Sequence, residues 1–273
     1  MTKILYKKNF TFGYFRVILY SYNLEEMLKI KDDLIDLFEK KKGASVKSSS
    51  FTSVIKFANN ETNRVYYYKE FLNRGVKDIL KNLFGFYRAK KAFKAGHMLL
   101  RENFHTPRPV LFGIKKKYFF ISKIFLITES VDGERTYEYI KKYYKMPMSS
   151  ELIKEKRSMI CAAGKEIGRL HKSGIFHGDL RVGNILISGA GDNTRFFFID
   201  NERTVKKNRL PEKYRLKNLV QLNMLGLSHI SRTDRLRFIL SYIGVNPGLS
   251  ETKKTLIRKI VFLTNKRKKQ KPS

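Results

Sequence analysis

Strand-type alternation in the first half and helical spacing in the second predict an α+β protein of two lobes. Strand-type runs fall at 53–57, 64–71, 110–113 and 118–129. From Ser149 onward the apolar residues recur at helical spacing instead. Inside this helical half lies one more strand pair, the apolar runs 185–187 and 196–199. The string Ser188-Gly189-Ala190-Gly191-Asp192-Asn193-Thr194 joins them, and turn-formers between two β-rich runs read as a hairpin.

Taken in order, residues 1–45 are basic and aromatic. Leu24, Met27, Leu28, Leu34, Ile35 and Phe38 have the spacing of one short helix that caps the first lobe without chemistry. Residues 43–50, with one glycine and four serines, form a polar loop before the first strand. The turn 58–63 links the strands 53–57 and 64–71. Stretch 75–102 is helical and broken near Gly85, and Thr106-Pro107-Arg108-Pro109 forces an extended exit from it. Residues 129–134 turn the chain into the second lobe. Ser149 or Ser150 caps a helix to about Lys172 that carries Leu152, Met159, Ala163, Ile167 and Leu170 on one face, with Gly174 as its C-cap. Two further amphipathic helices follow at 216–230 and 233–243, and the default reading of Arg232, Arg235 and Arg237 is a solvated face. The lobes are therefore 1–130 and 131–264, followed by a basic, disordered tail at 265–273.

Composition narrows the class. With 273 residues the core can be sizeable, and 42% hydrophobic content is that of a globular protein. Lys and Arg number 57 against 24 Asp and Glu, a formal charge of +33 that implies an anionic partner. The single cysteine, Cys161, excludes an intramolecular disulfide and suits a reducing cytosol; its apolar neighbours make it a buried thiol. No signal-peptide core opens the chain, and the most apolar run, 118–128, contains Lys123 and is too short to cross a bilayer.

The chemistry concentrates at His177-Gly178-Asp179-Leu180-Arg181-Val182-Gly183-Asn184 and at Asp200, which ends the run 196–199. A hairpin brings its far ends together, so Asn184 and Asp200 become neighbours. Mg²⁺ takes a few hard oxygens from a protein and the rest from substrate phosphates. Asp179 then remains as a carboxylate placed to take the proton of an attacking hydroxyl, which is what phosphoryl transfer requires. A cation at Arg181 would neutralise the moving phosphoryl group. No cluster of His, Cys or acidic residues has zinc-type spacing.

This stretch resembles the catalytic loop H-x-D-x-x-x-x-N and the following metal-binding Asp of the protein-kinase-like superfamily. Gly178 stands where typical protein kinases carry Arg, and Asn201-Glu202 where they carry Phe-Gly. Both departures point to relatives that phosphorylate small molecules or sugars. With Arg88-Ala89, Thr106-Pro107-Arg108-Pro109, Ile199-Asp200-Asn201-Glu202-Arg203 and Ser231-Arg232-Thr233-Asp234-Arg235-Leu236-Arg237-Phe238, the chain is similar to the lipopolysaccharide core sugar kinases, the Kdo/heptose kinase family, from about Val46 to about Tyr242. The resemblance implies a bilobal protein-kinase-like fold with ATP between the lobes. It implies that Lys69 pairs with the nucleotide's α- and β-phosphates and that Ser48 and Ser49 belong to the phosphate-covering loop. It further implies that the main chain from Glu129 to Val131 reads adenine, that Asp179 is the general base, and that Asn184 and Asp200 hold Mg²⁺. His177 is then architectural. The mid-helix Glu that pairs with the strand Lys is missing; His97 and Glu102 are the candidates, and Glu102 falls late.

The expected activity is transfer of the γ-phosphate of ATP to Kdo or heptose of a lipid A-linked core oligosaccharide. A cytoplasmic protein, peripheral on the anionic inner membrane surface, suits that acceptor, since each Lys or Arg near acidic lipid adds about 1 kcal/mol. An atypical protein or small-molecule kinase of the same fold is the alternative, and the charge argues against a neutral soluble substrate. A pseudokinase or basic binding module is the other. Charge alone permits nucleic acid, but that reading leaves Asp179, Asn184 and Asp200 unexplained, so nucleic acid is not the expected partner.

Overall fold

The computed structural model describes residues 4–39, 42–46, 48–59, 61–145, 147–226, 230–249 and 252–270. The chain divides into two compact units, one of residues 1–100 with 107–131 and one of 101–106 with 132–273. The expected boundary therefore moves by one residue, and the short segment 101–106 belongs to the second unit although the first flanks it.

The first unit is built on a seven-stranded antiparallel sheet. Its elements are β1 (Tyr6–Phe12), β2 (Phe15–Ser21), α1 (Leu24–Lys29), α2 (Lys31–Phe38), β3 (Ala44–Val46), β4 (Thr52–Ala58), β5 (Val65–Phe71), α3 (Val76–Leu83), α4 (Arg88–Arg101, its last residue in the second unit), β6 (Pro109–Lys117) and β7 (Phe120–Glu129). The strands lie in the order β1-β2-β6-β7-β5-β4-β3. Alternation along β5 sends Tyr66 and Tyr68 to one face, where Met27, Ile30 and Leu34 of the α1–α2 stretch meet them. Phe71 faces the other way and packs with Ala89, Ala92 and Phe93 of α4.

Among the described residues, 4–45 thus contribute β1, β2, α1, α2 and the start of β3, more than the single capping helix expected. The 24–38 pattern breaks at Ile30, which is completely buried at the junction of α1 and α2. Glu26 on α1 accepts a hydrogen bond from Arg108 Nη1 at 2.9 Å, and Arg108 Nε donates to Glu129 at 2.8 Å. The break near Gly85 is present, with α3 and α4 on either side.

The second unit holds β8 (Glu134–Arg135), α5 (Thr136–Tyr143), α6 (Ser150–Lys172), β9 (Ile175–Phe176), β10 (Ile185–Ser188), β11 (Arg195–Phe198), β12 (Val205–Lys206), α7 (Glu212–Asn223), α8 (Arg232–Val245) and α9 (Lys253–Lys269). Ser149 caps α6 by accepting from Leu152 N at 3.2 Å. Helices α6 and α8 approach so closely that a Cβ on Gly164 would lie 2.4 Å from the Phe238 carbonyl oxygen. Cys161 on α6 is half-buried, not buried.

The basic tail is a correction. Residues 265–269 continue α9, whose Leu256, Ile260 and Thr264 recur every four positions and are buried. Asn223 Nδ2 on α7 donates to Thr264 Oγ1 at 2.9 Å. The dense lysines concealed a helical stripe; Lys271, counted in the same tail, lies outside the described residues. No helix among the described residues is long and apolar enough to cross a membrane.

Candidate active site

The hairpin forms as its sequence predicts. β10 and β11 pair antiparallel with Ile185 opposite Phe198, and Ile199 N donates to Asn184 O at 3.0 Å. Asn184 and Asp200 are thereby brought to the same end of the hairpin. Asp200 has a left-handed backbone (φ 62°, ψ 43°). That conformation is costly outside Gly, Asn and Asp, and such residues cluster at functional sites.

Polar groups from distant elements hold the loop before the hairpin. His177 is buried; its Nδ1 accepts from Asp179 N–H at 3.3 Å, so its Nε2–H donates to Ile199 O at 3.0 Å. Burial lowers its pKa and keeps it neutral. Asn218 of α7 brackets the same residue, donating to His177 O at 2.5 Å and accepting from His177 N at 3.2 Å. Gln221, one helical turn on, accepts from Leu180 N at 3.2 Å and reaches Asp179 Oδ1 at 3.4 Å. Behind them His171 bridges Tyr242 Oη at 2.9 Å and Asn218 Oδ1 at 3.2 Å, and burial pushes its pKa down to about 3. Sequence reasoning missed Asn218 and Gln221. Their signal is two amides at i, i+3 set among the apolar Leu219, Val220 and Leu222.

Asp179 is the braced carboxylate at the centre. Its Oδ2 accepts from Arg181 Nη2 at 2.6 Å and from Asn184 Nδ2 at 3.2 Å, and Asn184 Nδ2 also donates to Asp179 O at 2.8 Å. Its side chain is still 28% exposed. Gly178 has a local cause, because a Cβ there would sit 2.2 Å from Arg203 Cβ and 2.7 Å from Arg203 O. Asn201 Nδ2 donates to Thr106 Oγ1 at 2.9 Å, and Thr106 donates to Phe198 O at 2.7 Å. Thr106 therefore secures the end of β11, which is why 101–106 joins this unit.

The remaining expected residues lie in the first unit. Lys69 sits on β5 opposite Leu126 and Val54, on the sheet face that carries Phe71, with its Nζ 5.2 Å from the Phe71 ring. Arg88 approaches the same ring at 4.9 Å. Helix α4 contains no acidic residue. Glu102 is in the second unit, paired with Lys206 at 2.6 Å. His97 packs edge-on against Tyr22 and Phe93. Ser48 and Ser49 are exposed in the β3–β4 turn, where their hydroxyls fold back onto Thr52; Lys47 of the same loop lies outside the described residues. Glu129 N donates to Arg108 O at 2.9 Å and Ser130 N to Val65 O at 2.9 Å. Hydrogen bonds from Arg108 hold the Glu129 carboxyl below its ordinary pKa. Val131 is the last residue of the unit.

The donor set suits a hard cation. Asn184 turns its amide nitrogen to Asp179, so its carbonyl oxygen is the atom that would serve a cation. Asp200 adds an exposed carboxylate. No group of three or more His, Cys, Asp or Glu among the described residues forms a metal cluster. An Mg²⁺ there would depend on nucleotide phosphates for its other ligands. The second unit also holds a half-open apolar pocket of about 540 Å³, lined by Ile160, Ile167, Leu222, Phe238, Ile257 and Ile260 among others.

Residues 36–242 match the model of the lipopolysaccharide kinase (Kdo/WaaP) family. The KEOPS complex subunit Bud32 of Pyrococcus abyssi is 32% identical over 93 residues, 33% of this chain and 36% of that protein. The lipopolysaccharide core heptose(I) kinase WaaP of Pseudomonas aeruginosa is 28% identical over 92 residues, 32% of this chain and 34% of that protein. The chain spans about a third of the length of these curated relatives. A solved WaaP in complex with acyl carrier protein superposes with a TM-score of 0.64 at 19% identity, covering 91% of this chain and 98% of that one. The α+β kinase-like fold expected from the motifs is the fold observed.

Proposed function

The chain belongs to the lipopolysaccharide kinase (Kdo/WaaP) family, and on that premise we propose that it transfers the γ-phosphate of ATP to a Kdo or heptose hydroxyl of the lipopolysaccharide inner core. The observation that carries the reading is Asp179, a carboxylate braced on both oxygens yet open to solvent. A sugar hydroxyl is a poor nucleophile at neutral pH, and a positioned carboxylate both orients it and accepts its proton. Arg181 puts positive charge beside that acceptor, where the transferring phosphoryl group is negative. Asn184 and Asp200 would hold Mg²⁺, which when bound neutralises the nucleotide phosphates. Lys69 is assigned the α- and β-phosphates, and the serine turn at Ser48 and Ser49 is assigned to cover them. Main chain around Glu129 to Val131 is assigned to adenine, with the N–H groups of Glu129 and Ser130 already engaged.

A lipid-linked acceptor assigns the chain to the cytoplasm, peripheral on the inner face of the cytoplasmic membrane, where a charge of +33 meets acidic lipid. Acyl carrier protein, the partner of the solved WaaP, is extended to this chain as a further proposal. The apolar walls of the second unit's pocket suit an acyl chain, and Arg232 and Lys268 line it as well.

The test is direct. Purified protein with Mg²⁺ and ATP is incubated with lipid A-core from cells lacking the gene. Mass spectrometry should find a gain of about 80 Da, one phosphoryl group, on a Kdo or heptose. Transfer only to protein, or none at all, would defeat the assignment.

A further inference from the structure

Helix α3 is amphipathic in the usual sense but turned the wrong way out for a core helix. Val76, Ile79, Leu80 and Leu83 recur at i, i+3, i+4 and i+7, the spacing of one helical face, and Phe84 and Phe86 follow just past the helix end. All six are exposed, Val76 at 71% and Phe84 at 76%. The one buried residue of α3 is polar: Asn82 donates to Asn73 at 2.9 Å. Helix α2, of the same length, does the opposite and buries Leu34 and Leu37.

A second group of exposed apolar residues lies at the end of the sheet from which α3 departs. The β1–β2 and β6–β7 turns are neighbours there, because Phe12 pairs with Phe15, Phe15 with Lys117 and Lys117 with Phe120. Tyr14, Tyr118, Phe119 and Phe120 project from these two turns, Phe119 at 92% exposure. Strand β5 is antiparallel to β7, so its C-terminal end, which leads into α3, points to this same end.

The charge of the rim is uniform. Between Leu72 and Lys91 there are six basic residues and one acidic, Asp78, which accepts from Arg74 N at 3.2 Å. Lys77 and Lys81 are exposed on the polar side of α3, and Arg16, Lys116 and Lys117 flank the aromatic turns. A helix with one apolar and one lysine-bearing side, at the same end of the sheet as exposed aromatic turns, has the composition of a segment that lies in a lipid interface. Long lysine stems reach from the acyl boundary to anionic headgroups.

We propose that this rim of the first unit docks the chain on an anionic lipid bilayer, with α3 in the headgroup–acyl boundary and the two aromatic turns entering beside it. The inference rests on the membrane-linked acceptor for its biological setting; the surface itself is argued from exposure and charge.

Full-length protein is floated with vesicles of phosphatidylcholine alone and with added phosphatidylglycerol. Wild type should bind the anionic vesicles, and less so in salt as screening shortens the reach of each charge. The double variant Ile79→Glu, Leu83→Glu alters only exposed positions and should keep the wild-type melting temperature. It should lose at least about tenfold in vesicle affinity, with a smaller loss for Phe119→Ser. Replacing Lys266, Lys268 and Lys269 by Gln should leave most of the binding. The proposal is overturned if the double variant binds as wild type does, or if wild type self-associates through α3 with no affinity for lipid. Phosphorylation of a delipidated core acceptor separates this from the function. Equal transfer by wild type and variant together with lost vesicle binding supports docking. No transfer by either undermines the kinase assignment and leaves the vesicle result to judge the surface.

Discussion

The stretches 177–201 and 231–238 are alike as sequence and opposite as structure. Both interleave Asp and Arg with apolar residues, and both belong to the motifs shared with sugar kinases. In the first, Asp179 is held by neighbours yet open, and Asp200 is exposed. In the second, Asp234 and Arg235 are held by other parts of the protein. Ser231 and Asp234 form a reciprocal cap at the start of α8. Asp234, only 7% exposed, also pairs with Lys156 at 3.1 Å and Arg237 at 3.0 Å. Arg235 donates to Asn223 O at 2.8 Å and to Leu225 O, which closes the C-terminal end of α7. The solvated face expected for Arg235 is therefore corrected: it fastens α8 to the end of α7, while Arg237 pairs within α8 with Asp234. Dense charge marks chemistry when it is braced and accessible, and architecture when its partners are all internal.

Separate losses of activity and stability would sharpen this contrast. The largest effect expected is on turnover. Asp179→Asn keeps shape but cannot take a proton, so kcat should fall by about 10²–10⁴-fold with the melting temperature and ATP affinity nearly unchanged. A rate within a few-fold of wild type would remove Asp179 from the chemistry.

The mirror experiment is Asp234→Ala, which leaves the Lys156 ammonium buried and uncompensated. Stability should drop by about 3–5 kcal/mol in urea titrations, while kcat per folded molecule holds. Lost turnover at unchanged stability would transfer 231–238 to the catalytic side.

The smallest effect concerns His171, which joins the two regions by linking Tyr242 on α8 to Asn218 behind the 177–184 loop. Its pKa falls from 6.5 to about 3 on folding because burial disfavours the imidazolium. Between those values the unfolded chain binds more protons, so stability is complete above pH 6.5 and declines as pH falls. The slope is about 1.4 kcal/mol per pH unit for one proton, or about 2 kcal/mol by pH 5. A urea midpoint that stays flat from pH 7 to 5 would show that His171 can be protonated in place.

Local patterns carried much of the architecture. The turn-former string at 188–194, the alternation in 64–71 and the Ser149 cap gave their elements because each depends on neighbours in sequence. Elements fixed by distant partners were harder to read. Helix α9 hid its buried stripe at 256, 260 and 264 under lysines, and β2 takes its place through a register with β6 and carries β1 at its other edge.

By itself, then, the sequence determined the hairpin, the spacing of Asp179, Asn184 and Asp200, and the kinase-like reading that follows, because turn chemistry and short-range periodicity act within a few residues. Only the tertiary structure decided which polar groups are available. Asn218 and Gln221 reach the loop from about 40 positions away, Glu102 turns to Lys206, and Arg235 turns to α7. Equally, only the fold shows that the apolar face of α3 looks outward. Burial and hydrogen-bond partnership depend on residues remote in the chain, and no local pattern encodes them.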